Sequence, residues 1–187
     1  MLVQDGRTRV IIENVTPRVD DGGFPVKRVI GDTVTVEADV FADGHDAISC
    51  EVWYRKEGVM EWSQAPMEPL GNDRWRGTFT VKELGRYDYT VTGWIDRFRS
   101  WSHALEKRIE ADQDVTVDLL IGAEMIAEAG AHAPSEQAPW HEIYADSVRS
   151  GGPDGIARAL SSELARLMRR NAERRFANTY QPSLVAV

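Results

Sequence analysis

Cysteine is almost absent from this chain, since Cys50 is the only one among its 187 residues. A single cysteine cannot form a disulfide within the chain, so the fold has to be held by noncovalent packing. The first residues, Met1–Arg7, contain no apolar stretch of the kind that a secretory signal peptide requires. Both observations favour a reducing, cytoplasmic location for the protein.

Long apolar runs and a net positive charge are lacking as well. No segment approaches the run of about 18 apolar residues that a membrane-spanning helix needs, which excludes a transmembrane span. The formal net charge is −8, and the acidic residues are spread along the sequence rather than gathered in a tail. Such a surface repels nucleic-acid phosphates and anionic lipids, so we expect neither nucleic acid nor membrane as a partner.

The residue patterns of an active site are also missing. The histidines are scattered, and none forms a His-x-x-x-His or Glu-x-x-His pair on a helix. Neither Gly22-Gly23 nor Gly151-Gly152 is followed by the Gly-Lys-Ser/Thr of a phosphate-binding loop. We therefore predict no catalytic residue, no metal site and no cofactor in this chain.

Alternation of apolar and polar residues is frequent in the first half of the chain. It runs through Thr33–Val40, Ser49–Tyr54, Arg74–Val81 and Arg86–Trp94. A period of two is typical of a strand with one buried face. Turn residues separate these runs, and no helical spacer lies between them. The pattern predicts an immunoglobulin-like antiparallel β-sandwich over residues 1–99.

Helical spacing replaces alternation in the second half of the chain. We predict a small bundle of four helices over residues 100–179, with Ser102 as the N-cap of the first helix. The fourth is predicted to start after Gly151-Gly152 and to carry the apolar stripe Ile156, Leu160, Leu164 and Leu167.

Residues 180–187 end in an apolar, β-prone run, which predicts a strand that returns to the sandwich. The predicted fold class is therefore α+β, a β-sandwich followed by a small helical bundle.

Tryptophan is abundant, with six residues in a chain of this length. A flat indole ring can stack on the apolar face of a sugar, but indoles also fill cores and domain junctions. Trp53 alternates with Cys50 and Val52 on its predicted strand, so its side chain faces away from theirs. We take Trp53 and Trp101 as the candidates for contact with a glycan or with a neighbouring domain, and both interpretations stay open.

Five stretches of the sequence occur in the order found in one known family. They are Arg9–Pro17 with Phe24–Arg28, Glu37–Asp46, Pro66–Trp75, Leu84–Val91 and Trp94–Phe98. In these stretches the chain resembles the N-terminal region of the bacterial α-1,4-glucan:maltose-1-phosphate maltosyltransferases, enzymes of the α-amylase superfamily. The resemblance is strong from residue 9 to about residue 120 and weaker through the helices, especially from Ala131 to Trp140.

The resemblance implies an architecture and a reaction. In the family, the β-sandwich precedes a catalytic (β/α)8 barrel, and the helical bundle is inserted before the last strand of the sandwich. The enzymes transfer a maltosyl unit from maltose 1-phosphate to an α-1,4-glucan with retention. A barrel takes about 250 residues, so its aspartate nucleophile and glutamate acid/base cannot lie in this chain. The resemblance also implies homodimer formation through the N-terminal and helical regions.

Three functions are open from the sequence. The first is a non-catalytic accessory and dimerisation region of a maltosyltransferase, with the barrel of the same polypeptide as partner and α-glucan as ligand of the enzyme. The second is a stand-alone glycan-binding module that uses exposed tryptophans. The third, a small enzyme, has no support beyond carboxylates that show no pairing in the sequence.

Overall fold

A computed structural model describes residues 8–187, and the segment Met1–Arg7, for which no signal peptide is predicted, lies outside the described residues. The part described contains strands and helices in separate stretches, which confirms the α+β class. The strands are β1 (Val10–Thr16), β2 (Thr33–Ala42), β3 (Ile48–Lys56), β4 (Ser63–Pro66), β5 (Glu68–Gly71), β6 (Arg74–Thr80), β7 (Tyr87–Ile95), β8 (Asn178–Thr179) and β9 (Leu184–Ala186). The helices are α1 (Arg97–Glu110), α2 (Thr116–His132), α3 (Ala138–Arg149), α4 (Gly152–Ala159) and α5 (Ser162–Arg170).

The chain divides into two compact units. Strands β1 to β7, ending at Ile95, and the segment Arg175–Val187 form the β unit, whereas Asp96–Arg174 form the helical unit. The corresponding expectations from the sequence were boundaries near residues 100 and 180. None of the helices within residues 8–187 is long and apolar enough to cross a membrane.

Two antiparallel sheets build the β unit. One has the strand order β1-β2-β6-β5; in the other, β4, β3 and β7 lie side by side, and both β8 and β9 pair with β7. The inward residues of both sheets share one core, in which the Tyr54 ring stacks on Phe79 with 4.5 Å between ring centroids. A Cβ at Gly77 would lie 2.7 Å from Val52 Cγ2, so glycine is required where β6 faces β3.

Helix α1 begins at Arg97, earlier than the sequence indicates. Its N-cap is Asp96, whose carboxylate accepts a hydrogen bond from the backbone N–H of Arg99 at 2.9 Å. The prediction of Ser102 as the cap is therefore wrong, and Ser102 lies in the second turn. The helix follows β7 with one residue between them, because Asp96 is extended and ends the strand while its side chain starts the helix.

The predicted fourth helix is two helices, α4 and α5, so the bundle prediction was one helix short. Ser161 interrupts the helical backbone with an extended conformation, φ −69° and ψ 143°. Its hydroxyl accepts a hydrogen bond from the backbone N–H of Leu164 at 3.3 Å and thereby caps α5. The apolar stripe through Ile156 and Leu164 is uninterrupted in the sequence, which hides the break.

Helices α1 and α2 meet at Trp101, which is buried with only 8% of its surface exposed. The Trp101 Nε1–H donates a hydrogen bond to the carbonyl oxygen of Asp118 at 2.8 Å. The Arg108 guanidinium donates to both carboxylate oxygens of Asp118 at 2.7 Å, so the same residue binds α1 twice. The indole ring lies directly over Gly122, where no side chain of any size fits.

We predict that Gly122→Ala destabilises the helical unit by about 1–3 kcal/mol, because the new Cβ would overlap the buried Trp101 ring. The steric overlap outweighs the helix propensity of alanine, which favours the helix by about 1 kcal/mol relative to glycine. Denaturant unfolding followed by helical circular dichroism measures the difference. Glu124→Ala, at an exposed position of the same helix, is the control and should leave the midpoint nearly unchanged. A more stable Gly122→Ala variant would contradict the packing described.

Candidate binding surfaces

Trp53 lies on the outer face of the β unit, in the middle of β3. Its neighbours across the sheet are Thr90 of β7 and Gln64 of β4. The side chain is half-buried, and its Nε1–H donates a hydrogen bond to the Glu51 carboxylate at 3.2 Å. The structure therefore places Trp53 away from the core, on the side opposite to Cys50 and Val52.

Trp62 completes an aromatic pair with Trp53 that the sequence analysis missed. The two ring centroids are 6.5 Å apart and the ring planes are tilted by 47°. The Arg55 guanidinium carbon lies 4.4 Å from the Trp62 ring centroid, in the geometry of a cation–π contact. The register of the β3–β4 hairpin predicts this pair. Tyr54 pairs with Ser63, and Trp62 therefore lies opposite Arg55 on the neighbouring strand.

Trp101, the second sequence candidate, is a core residue of the helical unit. Its ring packs against Phe98 at 5.2 Å between centroids and against Gly122, and its N–H bonds to Asp118. A ring that is 8% exposed has no free face on which a sugar could stack. Trp53 belongs to the β unit and Trp101 to the helical unit.

Potential metal ligands and nucleophiles are dispersed over the described part of the chain. Residues 8–187 contain no group of three or more His, Cys, Asp or Glu side chains that could hold a metal ion. Cys50 is buried in the core of the β unit. His141 is fully buried in the helical unit, and its Nδ1–H donates a hydrogen bond to the Gln137 carbonyl at 3.0 Å, since a carbonyl oxygen can only accept.

Arg74 lies at the centre of a polar network on the outer face of the sheet β1-β2-β6-β5. It donates hydrogen bonds to the Asp39 carboxylate at 2.9 Å, to Glu37 at 3.3 Å and to the backbone carbonyl of Asn14 at 3.1 Å. Asn14 sits at an irregularity in β1 with a φ of 49°, and its amide also donates to Asp39 at 2.7 Å. The bulge in β1 turns this amide towards β2 and so builds one side of the network.

The network keeps its carboxylates ionised. The hydrogen bond from Arg76, and to a smaller extent those from Arg74, lower the pKa of Glu37 below its ordinary value. The amide of Asn14 and then Arg74 lower the pKa of Asp39 in the same way, against the opposing effect of burial.

Exposed apolar side chains follow one face of α2. Val117, Leu120 and Ile121 are 66%, 49% and 50% exposed and are spaced i, i+3 and i+4, which places them on one side of the helix. On α3, Trp140 and Ile143 are also exposed. Leu120 belongs to an apolar run that the sequence pattern alone suggests is core.

The described residues combine two antiparallel sheets with a helical unit that lies, in the sequence, between β7 and β8. The family model for α-1,4-glucan:maltose-1-phosphate maltosyltransferase, domain N/S, matches residues 8–187. The chain belongs to this family. The resemblance to the N-terminal region of these enzymes is thereby confirmed.

Three curated α-1,4-glucan:maltose-1-phosphate maltosyltransferases illustrate the similarity. The chain is 45% identical to that of Chlorobaculum tepidum over 182 residues, which are 97% of this chain and 27% of the relative. The identity is 44% over 133 residues for Methylacidiphilum infernorum, covering 71% of this chain and 20% of the relative. For the Myxococcus xanthus enzyme the identity is 37% over 184 residues, which are 94% of this chain and 28% of the relative. The chain spans about a quarter of the length of these relatives.

We predict that Arg74→Gln lowers stability at neutral pH by no more than about 1 kcal/mol and has a smaller effect at strongly acid pH, where only the hydrogen bonds of Arg74 to uncharged groups remain. Carboxyl groups with a lowered pKa stabilise the fold above their unfolded pKa, and this contribution is lost as the pH falls through the folded pKa. Urea unfolding at neutral pH and near pH 2–3 tests the difference. Arg18→Gln, which removes a more exposed ion pair with Asp21, should change neither value. An equal loss at both pH values would show that Arg74 acts by packing alone.

Proposed function

We propose that this chain is the non-catalytic N-terminal accessory region of a cytoplasmic enzyme that transfers maltosyl units from maltose 1-phosphate to α-1,4-glucan. One observation carries the proposal: the N/S-domain match covers residues 8–187, whereas the chain spans about a quarter of the named maltosyltransferases. The catalytic (β/α)8 barrel belongs to the remainder of that polypeptide. Within the enzyme, the β unit is an immunoglobulin-like sandwich and the helical unit is its insert.

The carboxyl groups whose pKa is shifted take part in structural contacts. The four carboxyl groups between residues 8 and 187 whose pKa clearly departs from the ordinary value are all lowered: those of Glu37, Asp39, Glu83 and Asp114. Hydrogen bonds from arginine, asparagine, lysine or threonine cause each shift, which suits structural ion pairs.

Self-association through the helical unit is the second part of the proposal. The α2 face of Val117, Leu120 and Ile121 presents three large apolar side chains to solvent, each about half exposed or more. Burial of apolar area is the main driving force of stable homodimers, and their interface cores are more apolar than other protein surfaces. An isologous dimer would place this face of one copy against the same face of another.

We expect the polypeptide that contains this region and the remaining domains to elongate maltoheptaose from maltose 1-phosphate, with release of phosphate. The 187-residue chain should release none, because it carries no catalytic residues of the barrel. Phosphate release and gel analysis of the glucan measure both. Turnover by the chain alone would overturn the accessory role, and a lack of transfer by the whole polypeptide would overturn the proposed reaction.

The dimer proposal predicts that Leu120→Glu together with Ile121→Glu converts the protein to monomers without unfolding it. Both positions are exposed, and glutamate is a good helix former. The two changes should therefore weaken association and leave the stability of the fold nearly unchanged. Sedimentation velocity measures the mass of the species. Leu70→Glu, which removes a similarly exposed leucine from β5, is the matched control and should remain dimeric. Monomeric wild-type protein, or a dimer that survives the double change, would reject this face as the interface.

Glycan binding at the Trp53–Trp62 pair is the alternative function. The observation in its favour is that two half-buried indoles and one arginine lie together on an outer sheet face. This alternative requires the 187-residue chain to release heat with maltoheptaose in calorimetry, and Trp53→Ala to abolish that heat while Trp140→Ala keeps it. An absence of heat with the wild-type chain would leave the pair as a structural or interdomain feature.

A further inference from the structure

Six large apolar side chains are gathered in loops at one end of the β unit. They are between 48% and 86% exposed, and every one lies outside the regular strands. We name this surface the apolar end and define it by Val29, Ile30, Val59, Met60, Leu84 and Val187.

Backbone hydrogen bonds and one ion pair hold the loops of the apolar end together. The N–H of Gly31 donates to the carbonyl of Val81 at 2.8 Å, which joins the loop before β2 to the loop after β6. The N–H of Glu57 donates to the carbonyl of Arg86 at 2.8 Å, and Lys56 forms an ion pair with Glu83. The loops that carry Ile30, Leu84 and Met60 are therefore direct neighbours and form one surface.

Strand β9 also ends at this surface. Ala186 pairs with Tyr87, the first residue of β7, so the strand runs towards the loop that contains Leu84. The N–H of Arg28 donates to the carbonyl of Val187 at 2.7 Å, and the N–H of Val187 donates to Val26 at 2.9 Å. These two hydrogen bonds hold Val187 beside the segment that leads into Val29 and Ile30.

The opposite end of the same sheets has a different composition. The loop after β2 contains Asp43, His45 and Asp46, and the turn before β6 contains Asn72 and Asp73. Polar residues are usual for loops, since loop tips lie in water. Clustered apolar residues at loop tips instead indicate an interaction site. Exposed charges surround the apolar end, among them Glu61, Lys82 and Arg86, which gives it the polar rim of an interface.

We infer that the apolar end docks the part of the same polypeptide that follows this region in the full-length enzyme. The inference rests on the proposed function, under which this chain is the N-terminal region of a longer protein. The relatives place about three quarters of their length outside the matched region, so the occupant is large. Under the proposed function the polypeptide continues after Val187, which is hydrogen-bonded to the segment that leads into Val29. The following segment is then tethered at this surface, and tethering gives it a high effective concentration there.

Cysteine labelling of the full-length polypeptide tests this docking. Leu84→Cys and Met60→Cys are compared with Leu70→Cys, and mass spectrometry of the labelled peptides measures the rate of maleimide addition at each site. In the structure Leu84 and Met60 are 79% and 86% exposed and Leu70 is 48% exposed. Docking should reverse this order and make the first two react about tenfold or more slowly than Leu70→Cys, because thiol reactivity requires access. In denaturant, all three should react alike.

Each other outcome overturns the inference or separates it from the proposed function. One outcome is that maleimide adds to Leu84→Cys and Met60→Cys as fast as to Leu70→Cys, or faster. This result would show that nothing covers the apolar end. Protection that disappears on dilution would show that a second copy covers it, which also rejects the assignment. The maltosyl-transfer assay on the unsubstituted polypeptide is run in parallel. Transfer without protection rejects the docking alone, whereas a lack of transfer rejects the proposed function.

Discussion

The edge of strand β7 is the feature on which the rest of the β unit depends. One side of β7 pairs with β3 over its whole length, and the other side is closed by β8 and β9, which come more than eighty residues later in the chain. The Thr90 hydroxyl donates to the carbonyl of Tyr180 at 2.7 Å, and the N–H of Tyr180 donates to the carbonyl of Val91 at 2.9 Å. An open edge here would expose a row of unpaired backbone groups. The sandwich is therefore complete only when the polypeptide has passed through all five helices of the described chain.

This closure explains why the helical unit has to be compact in its own right. It has its own core, and Trp101, Asp118 and Gly122 lock its first two helices by packing and hydrogen bonds together. A loose insertion of this length would add a loop-closure entropy cost of roughly a few kcal/mol before the returning segment could pair with β7. A folded insertion instead brings its two ends to defined positions. The stability of the last strands thus depends on packing among residues far from them in sequence.

The sequence predicted those elements whose signal is local. Alternation located β2, β3, β6 and β7. In β2 and β6 one face is buried and the other is not, whereas β3 and β7 keep the alternating sequence although consecutive residues in them are buried. The two short strands β4 and β5 carry no such pattern, and each contains a proline. The break between α4 and α5 was missed because a single capping serine makes it without disturbing the apolar spacing.

The candidate site was predicted only in part, because burial depends on partners that lie far away in the sequence. Trp53 could be assigned to an outer face from alternation alone. The burial of Trp101 depends on Gly122 and Asp118, which lie on the next helix and give no local signal in the sequence around Trp101. Trp62 was missed because its place beside Trp53 follows from the register of the β3–β4 hairpin.

The outer surfaces of this region separate into two kinds, and the separation has a physical reason. On the sheet face around Arg74, arginines and carboxylates neutralise one another, so this surface is satisfied by its own side chains. The exposed apolar side chains of the α2 face and of the loops around Leu84 cannot be satisfied in this way, because apolar side chains gain free energy only by leaving water. The described surfaces therefore include one sheet face whose charges are satisfied by each other, and apolar patches whose side chains would gain free energy from contact with another protein surface.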